Sequence, residues 1–251
     1  MVYDTSLPAP ALRLLGTFRL EGADGSAVPV QTPGRRLLAF LALNGPTARG
    51  VLAGTLWPEV AEEQAYGSLR TTLWRLHRAG PPVLDCRGEL LALREELHVD
   101  THVLTRTARR LIDSDAPPGE DLEVDVLSAG ELLPDWDEEW VVFERERLRQ
   151  LRLHALESLS GRLARHGQYA LALDAALTGV RIEPLRESAH RAVVAVHLAE
   201  HNLVEAVRHY HAYRRLARIE LGLEPSPIFT TMLPRSRLDP CPGGDRPDSA
   251  G

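Results

Sequence analysis

Arg70, Thr71, Thr72, Arg75 and Arg78 fall within one short stretch, Glu62 to Gly80, which reads EEQAYGSLRTTLWRLHRAG. Guanidinium groups can make paired hydrogen bonds to a guanine edge or to a phosphate, and a threonine methyl can meet the methyl of thymine. Ala65, Leu69, Leu73 and Leu76 recur at spacings of 4, 4 and 3, which is one apolar stripe on a helix. From Ala65 to Ala79 there are three arginines and no carboxylate, a local charge of +3 in a chain whose net charge is −6. Glu62 and Glu63 sit where they favour the helix dipole, and Gly80-Pro81-Pro82 ends the pattern. At 1.5 Å per residue the helix runs roughly 27 Å, long enough to lie across a DNA groove. Taken alone, such a stretch is also an ordinary solvated surface helix, so its setting must decide.

Other residues invite other chemistry. His197-Leu198-Ala199-Glu200-His201 reads as H-x-x-E-H, the inverted zinc-peptidase motif, but a catalytic zinc needs a third ligand and a cleft. The five residues close a helical pattern, with His201-Asn202 as the turn, so no metal site is assigned. His209 and His211 are two apart and fall on different helix faces. Trp136 and Trp140 flank Asp137, Glu138 and Glu139 and read as an anchor between domains rather than a ligand box. No Ser-His-Asp set and no phosphate-cradling G-x-x-x-x-G-K-[ST] can be placed, so the expectation is no enzyme and no cofactor. Cys86 and Cys241 are far apart without a CxxC partner, which indicates neither a disulfide framework nor a zinc knuckle.

The elements around the arginine-rich stretch give it a position. Leu12 to Leu20 and Ala27 to Val30 flank Gly22-Ala23-Asp24-Gly25-Ser26, a hairpin signal. Thr32-Pro33 then opens a helix, with Thr32 expected as its N-cap and Leu37, Leu38, Phe40, Leu41 and Leu43 as its buried side. Asn44-Gly45-Pro46 stops it. Thr47 is expected to cap a second helix through Leu52 and Leu56, and Trp57-Pro58 begins a connector to the Arg/Thr helix. Val83 to Cys86, the Arg87-Gly88 turn and Leu90 to Leu93 form another hairpin. Hairpin, three helices, hairpin is the order of a winged helix, whose third helix enters the major groove.

Further on, residues 101–119 read as one more helix ending in Asp115-Ala116-Pro117-Pro118-Gly119, and from Trp140 the pattern is purely helical. An offset of 34 aligns Ala172 with Ala206 and Ala176 with Tyr210, and Pro184 follows Ala172 by twelve residues. Those distances match a tetratricopeptide unit. From Pro225 on, the chain is rich in proline and glycine without periodicity and is expected to fray.

Charge is partitioned along the chain. Residues 11–100 are neutral, residues 120–148 carry −9, and residues 149–221 carry +4. The acidity sits at a joint and not on faces that would meet DNA. All 29 basic residues are arginine, a mark of GC-rich coding. No apolar run approaches the ~18 residues of a membrane span, and the N-terminus lacks a secretory signal, so a cytoplasmic, nucleoid-associated protein is expected.

Seven motifs then carry a resemblance: QTPGRRLLAFLAL (31–43), LAGTLWPE (52–59), SLRTTLWRLHRAG (68–80), LLPDWDEEWVVFERERLRQLRLHALE (132–157), GQYALALDAAL (167–177), EPLRESAHR (183–191) and LGLEPSP (221–227). The chain resembles the Streptomyces antibiotic regulatory protein family, in its small form without an added ATPase module. The resemblance implies a mainly α protein: an OmpR-type winged helix-turn-helix with short β-hairpins over 11–100, the effector-domain type of two-component regulators, then an all-α, tetratricopeptide-like bacterial transcriptional activation domain over 101–227. Residues 1–10 and 228–251 are expected to be disordered. It further implies an activator of an antibiotic biosynthetic cluster that binds direct repeats in promoter DNA as a dimer and recruits RNA polymerase holoenzyme.

Residue by residue, the recognition-helix pattern falls on Arg70, Thr71, Thr72, Arg75 and Arg78. Arg87 on the wing turn and Arg49 at the start of the second helix match phosphate contacts. Trp57, Pro58, Glu59, Val60 and Ala61 match the loop that contacts polymerase. The rival expectation is an adaptor whose helical repeats bind a protein and whose winged helix no longer reads DNA. Family members continue helically beyond LGLEPSP, whereas this chain turns to Pro, Gly and Asp, which predicts an incomplete cap.

Overall fold

The computed structural model of the chain describes residues 9–113 and 124–233. These divide into two compact units, one of residues 9–109 with 124–152 and one of residues 110–113 with 153–233. The sequence expectations for residues 1–8, for the breaker at Asp115 to Gly119 and for residues 234–251 lie outside the described residues.

In the first unit, β1 (Ala11–Arg13), β2 (Arg19–Glu21), β3 (Ala27–Val28) and β7 (His98–Val99) form a four-stranded sheet in the order β3-β2-β1-β7. β1 runs antiparallel to β2 and parallel to β7, with Leu12 opposite both Leu20 and Val99. Those three side chains are buried, so one face of the sheet is core. α1 (Thr32–Asn44) buries Leu37, Leu38 and Leu41 completely, α2 (Arg49–Leu56) buries Leu52 and Leu56, and α3 (Glu62–Ala79) buries Ala65, Leu69, Thr72 and Leu76. The remaining strands, β4 (Thr47–Ala48), β5 (Leu84–Arg87) and β6 (Leu90–Leu93), make a second sheet in the order β4-β6-β5.

Two capping expectations are corrected. Gln31, not Thr32, is the N-cap of α1: Thr32 already lies in the first turn with Pro33, and no side chain caps that end. Thr47 pairs as a strand with Leu91, and its hydroxyl donates to the Gly45 carbonyl; Ala48 takes the N-cap position of α2. The wing sheet therefore reaches back to the start of α2, since the Arg49 N–H donates to the Glu89 carbonyl at 2.9 Å.

The described part of the acidic joint, residues 124–148, belongs to this first unit. Leu132 bridges to Leu15, and Gly16 N–H donates to the Glu131 carbonyl at 2.7 Å. α4 (Asp100–Asp113) starts with the buried Asp100, whose carboxylate accepts the N–H groups of Leu14 and Leu15 at 2.9–3.0 Å. α5 (Glu139–Arg165) starts on the same unit, where Arg145 donates to the carbonyls of Leu132, Leu133 and Trp136. Those bonds fix a turn in which Leu133, buried, holds a φ of +38°. Trp136 stacks on Phe18 with ring centres 6.3 Å apart, and Trp140 meets Phe40 edge-on at 5.2 Å. The two tryptophans thus act as an anchor onto the winged helix, and Arg36 adds a 2.8 Å ion pair to Glu138.

In the second unit, α6 (Tyr169–Ile182), α7 (Glu187–Ala199) and α8 (Leu203–Leu221) follow the last turns of α5. Ala172, Ala189 and Ala206 are fully buried, which lets neighbouring helices approach closely, and the positions aligned at an offset of 34 are buried alike. His190 on α7 and His209 on α8 share a hydrogen bond of 3.0 Å, while His190 donates from Nε2 to the Pro184 carbonyl at 2.8 Å. His209 is held near a pKa of about 4 by burial and by the neighbouring His190 and His197.

The expected fraying from Pro225 is corrected for residues 226–233. Ser226 caps a further helix, α9 (Pro227–Thr231), with Pro227 in its first turn. Ser226 donates from both its N–H and its hydroxyl to the Glu187 carboxylate. Phe229 is fully buried against Tyr210 and Tyr213, and with Leu233 it closes the core cluster on Val194 and Ala206. The helical packing therefore continues past LGLEPSP in a short capped turn.

Candidate nucleic-acid interface

α3 is a helix because its apolar residues repeat along one line and its first turn carries Glu62 and Glu63. The buried line runs through Ala65, Leu69, Thr72 and Leu76, with Leu73 half-buried. Thr72 therefore does not face outward: it is 6% exposed, and its hydroxyl donates to the Ser68 carbonyl at 2.8 Å. This corrects its placement on the reading face. The hydroxyl satisfied within the helix is what lets a threonine stand in the apolar line.

Arg70, Thr71, Arg75 and Arg78 are all exposed. Thr71 donates its hydroxyl to the Gly67 carbonyl at 3.0 Å, which holds its rotamer while the side chain stays exposed. Arg75 donates from Nη1 to the Gln31 Oε1 at 2.7 Å, tying the middle of α3 to the N-cap of α1. The guanidinium of Arg78 lies over the ring of Trp74, 4.9 Å from its centre. Trp74 is 58% exposed, and sequence reasoning passed over it. The available signal was its spacing, four residues from Arg70 and four from Arg78.

The wing turn stands where the sequence placed it. Gly88 holds a φ of +62° between β5 and β6, a conformation glycine takes without strain. Arg87 extends from this turn, 75% exposed, and pairs with Asp85 at 2.8 Å. A hollow of about 330 Å³ separates α3 from the wing, lined by Arg49, Trp74, His77, Pro82, Val83 and Cys86 among others. Arg49 is thereby brought beside α3, although its backbone N–H is spent on Glu89. Pro58, Glu59, Val60 and Ala61 form an exposed loop between α2 and α3, with Trp57 half-buried at its start.

The H-x-x-E-H stretch does not assemble as a metal motif. Glu200 is the C-cap of α7 and His201 sits in a left-handed turn with φ +62°, so H-x-x-E-H does not lie on one helix. Among the described residues, no group of three His, Cys, Asp or Glu is placed to hold a metal ion. No helix among them is long and apolar enough to cross a membrane.

The fold is thus that of a winged helix joined to a helical domain. Residues 126–233 match the family described as Bacterial transcriptional activator domain. The structure of Mycobacterium tuberculosis EmbR, solved in complex with a low affinity phosphopeptide, superposes with a TM-score of 0.66 at 20% identity, covering 92% of this chain and 68% of that one. No curated protein matches the chain. Residues 126–233 are thus matched as a bacterial transcriptional activator domain, and this domain match and the fold agree with the resemblance to the Streptomyces antibiotic regulatory protein family carried by the motifs.

Proposed function

We propose that this activator binds direct repeats in promoter DNA of a biosynthetic gene cluster, reading the major groove with α3. The observation that carries the reading is the exposed row of Arg70, Thr71, Arg75 and Arg78, without a carboxylate from Ala65 to Ala79, on the third helix of a winged fold. An interaction adaptor has no use for such a face. Arg87 on the wing and Arg49 beside it supply phosphate contacts that set the register of the helix. The loop from Trp57 to Ala61 meets RNA polymerase holoenzyme, its exposure leaving it open to a partner while α3 is on DNA. With residues 11–100 neutral overall, one copy has modest electrostatic affinity, so two protomers on a repeated site supply the rest.

A mobility-shift titration of the full chain against its own upstream region tests this. Binding that falls with added salt and distinguishes the repeat from scrambled DNA is expected. Binding that ignores sequence overturns the activator reading and favours the adaptor.

A further inference from the structure

Of the four tryptophans, Trp57, Trp136 and Trp140 are half-buried, whereas Trp74 stands out on α3. An indole left this open loses most of the apolar burial that aromatic side chains ordinarily gain on folding. Its position is not random. It occupies the middle of the row Arg70–Trp74–Arg78, and its ring is a ridge between two hollows. One, of about 290 Å³, lies toward Pro29, Pro33 and Arg75; the other, of about 330 Å³, lies toward Pro82 and Val83. Arg78 lies over one face of the ring, and the rest of the exposed indole presents an apolar surface.

We infer that Trp74 is a specificity residue that packs on the methyl group of a thymine in the major groove, next to the base pair that Arg78 contacts. This rests on the DNA-binding reading above and deepens it. The major groove offers hydrogen-bonding edges at every base pair but an apolar group only at thymine. A ring with cations four residues to either side meets groove walls of phosphate on both flanks and bases in the centre. There its apolar surface has one complementary target. The stack also restricts the Arg78 side chain, so that its planar donors reach a guanine edge or phosphate with less rotamer entropy to lose. The reading predicts a composite recognition element, a thymine adjacent to the pair read by Arg78. Arginine-only readout of the same face predicts none.

The experiment uses the full chain and the duplex it enriches from randomised DNA. Each thymine of that duplex is replaced singly by deoxyuridine, which keeps base pairing and removes only the methyl. The expected result is one position per repeat at which the wild-type chain loses affinity about fourfold, the worth of one buried methyl-sized group. That loss should be the same at low and high salt, unlike a phosphate contact. Trp74→Ala should weaken binding and make that position indifferent to the methyl, while Trp74→Phe keeps part of the preference. Wild-type binding that is insensitive to deoxyuridine at every thymine overturns the inference and leaves the activator reading standing, as does an unchanged preference in Trp74→Ala. Failure to enrich any sequence overturns both.

Discussion

Gly130 stands against Gly16 so closely that a Cβ on Gly130 would lie 2.8 Å from the Gly16 Cα. The contact is backbone against backbone, at the point where Gly16 N–H bonds to Glu131 and Leu15 bridges to Leu132. Neither strand can yield without breaking those bonds. Gly130→Ala should therefore destabilise the first unit by about 1–3 kcal/mol, as overpacking does. Chemical denaturation of the variant measures this, and an unchanged midpoint would mean that the turn relaxes freely.

The turn after it depends on one side chain. Arg145 satisfies three carbonyls within a stretch where Leu133 holds a positive φ. Arg145→Ala should cost about 2–4 kcal/mol by stranding those acceptors, and Arg145→Lys should recover little, because a single ammonium does not span the fork. Comparing the two variants by thermal unfolding separates lost geometry from lost charge.

The histidine pair makes the second unit sensitive to acid. Burial lowers the pKa of His190, and His209 sits at about 4, so the neutral forms are favoured in the fold. Histidine titrates near 6.5 when unfolded, so this contribution is fully present above about pH 6.5 and is lost as pH falls toward 4. His197 and the Glu187 carboxylate near Tyr213 are the neighbouring ionisable groups. Denaturation of wild type and His209→Gln at pH 7.5 and 5 should show a smaller acid loss in the variant; equal losses would assign the effect to carboxylates.

The short closing helix is tested by Phe229→Ala and Ser226→Ala. Removing a fully buried phenyl ring should cost about 3–5 kcal/mol. Removing the cap hydroxyl, which also bonds Glu187, should cost about 1–2 kcal/mol. Near-native stability in Phe229→Ala would show that α9 contributes nothing to the core on Tyr210 and Tyr213.

On DNA, Arg75→Ala is expected to weaken specific binding by about 1–3 kcal/mol and relax preference at one position if the guanidinium reads a base. Arg87→Ala should weaken binding to all sequences alike and lower the salt slope by about one. A variant panel of operators assayed by fluorescence anisotropy tells the two behaviours apart.

How much of this was legible in the chain differs by element. α3 matched its expected bounds because its apolar repeat, acidic first turn and Gly-Pro-Pro stop all agree. Thr72 was misplaced because a threonine bonded back to its own helix behaves as an apolar residue, and its type does not announce that. β4 and β7 are two-residue strands, too short for any alternation to show, and they exist through partners distant in sequence. Thr32 and Thr47 looked like caps, but Thr32 lies inside the first turn of α1 and Thr47 pairs as a strand. α9 was hidden by composition: proline and glycine around it suggested fraying, while Ser226-Pro227 with an aromatic two residues on was the actual signal. Trp74 was overlooked because an aromatic on an amphipathic helix ordinarily belongs to its core.

The bond from Arg75 to Gln31 has a consequence for how the face waits. A carboxylate in place of the Gln31 amide would hold the guanidinium as well, but it would cancel the charge that draws a phosphate backbone. An amide accepts from the fork and leaves the positive charge whole. Exchanging it for a nucleic-acid acceptor gives up one charge-assisted hydrogen bond at the surface and separates no ion pair. On the proposed reading, α3 keeps its charge whole and has little to release when DNA binds.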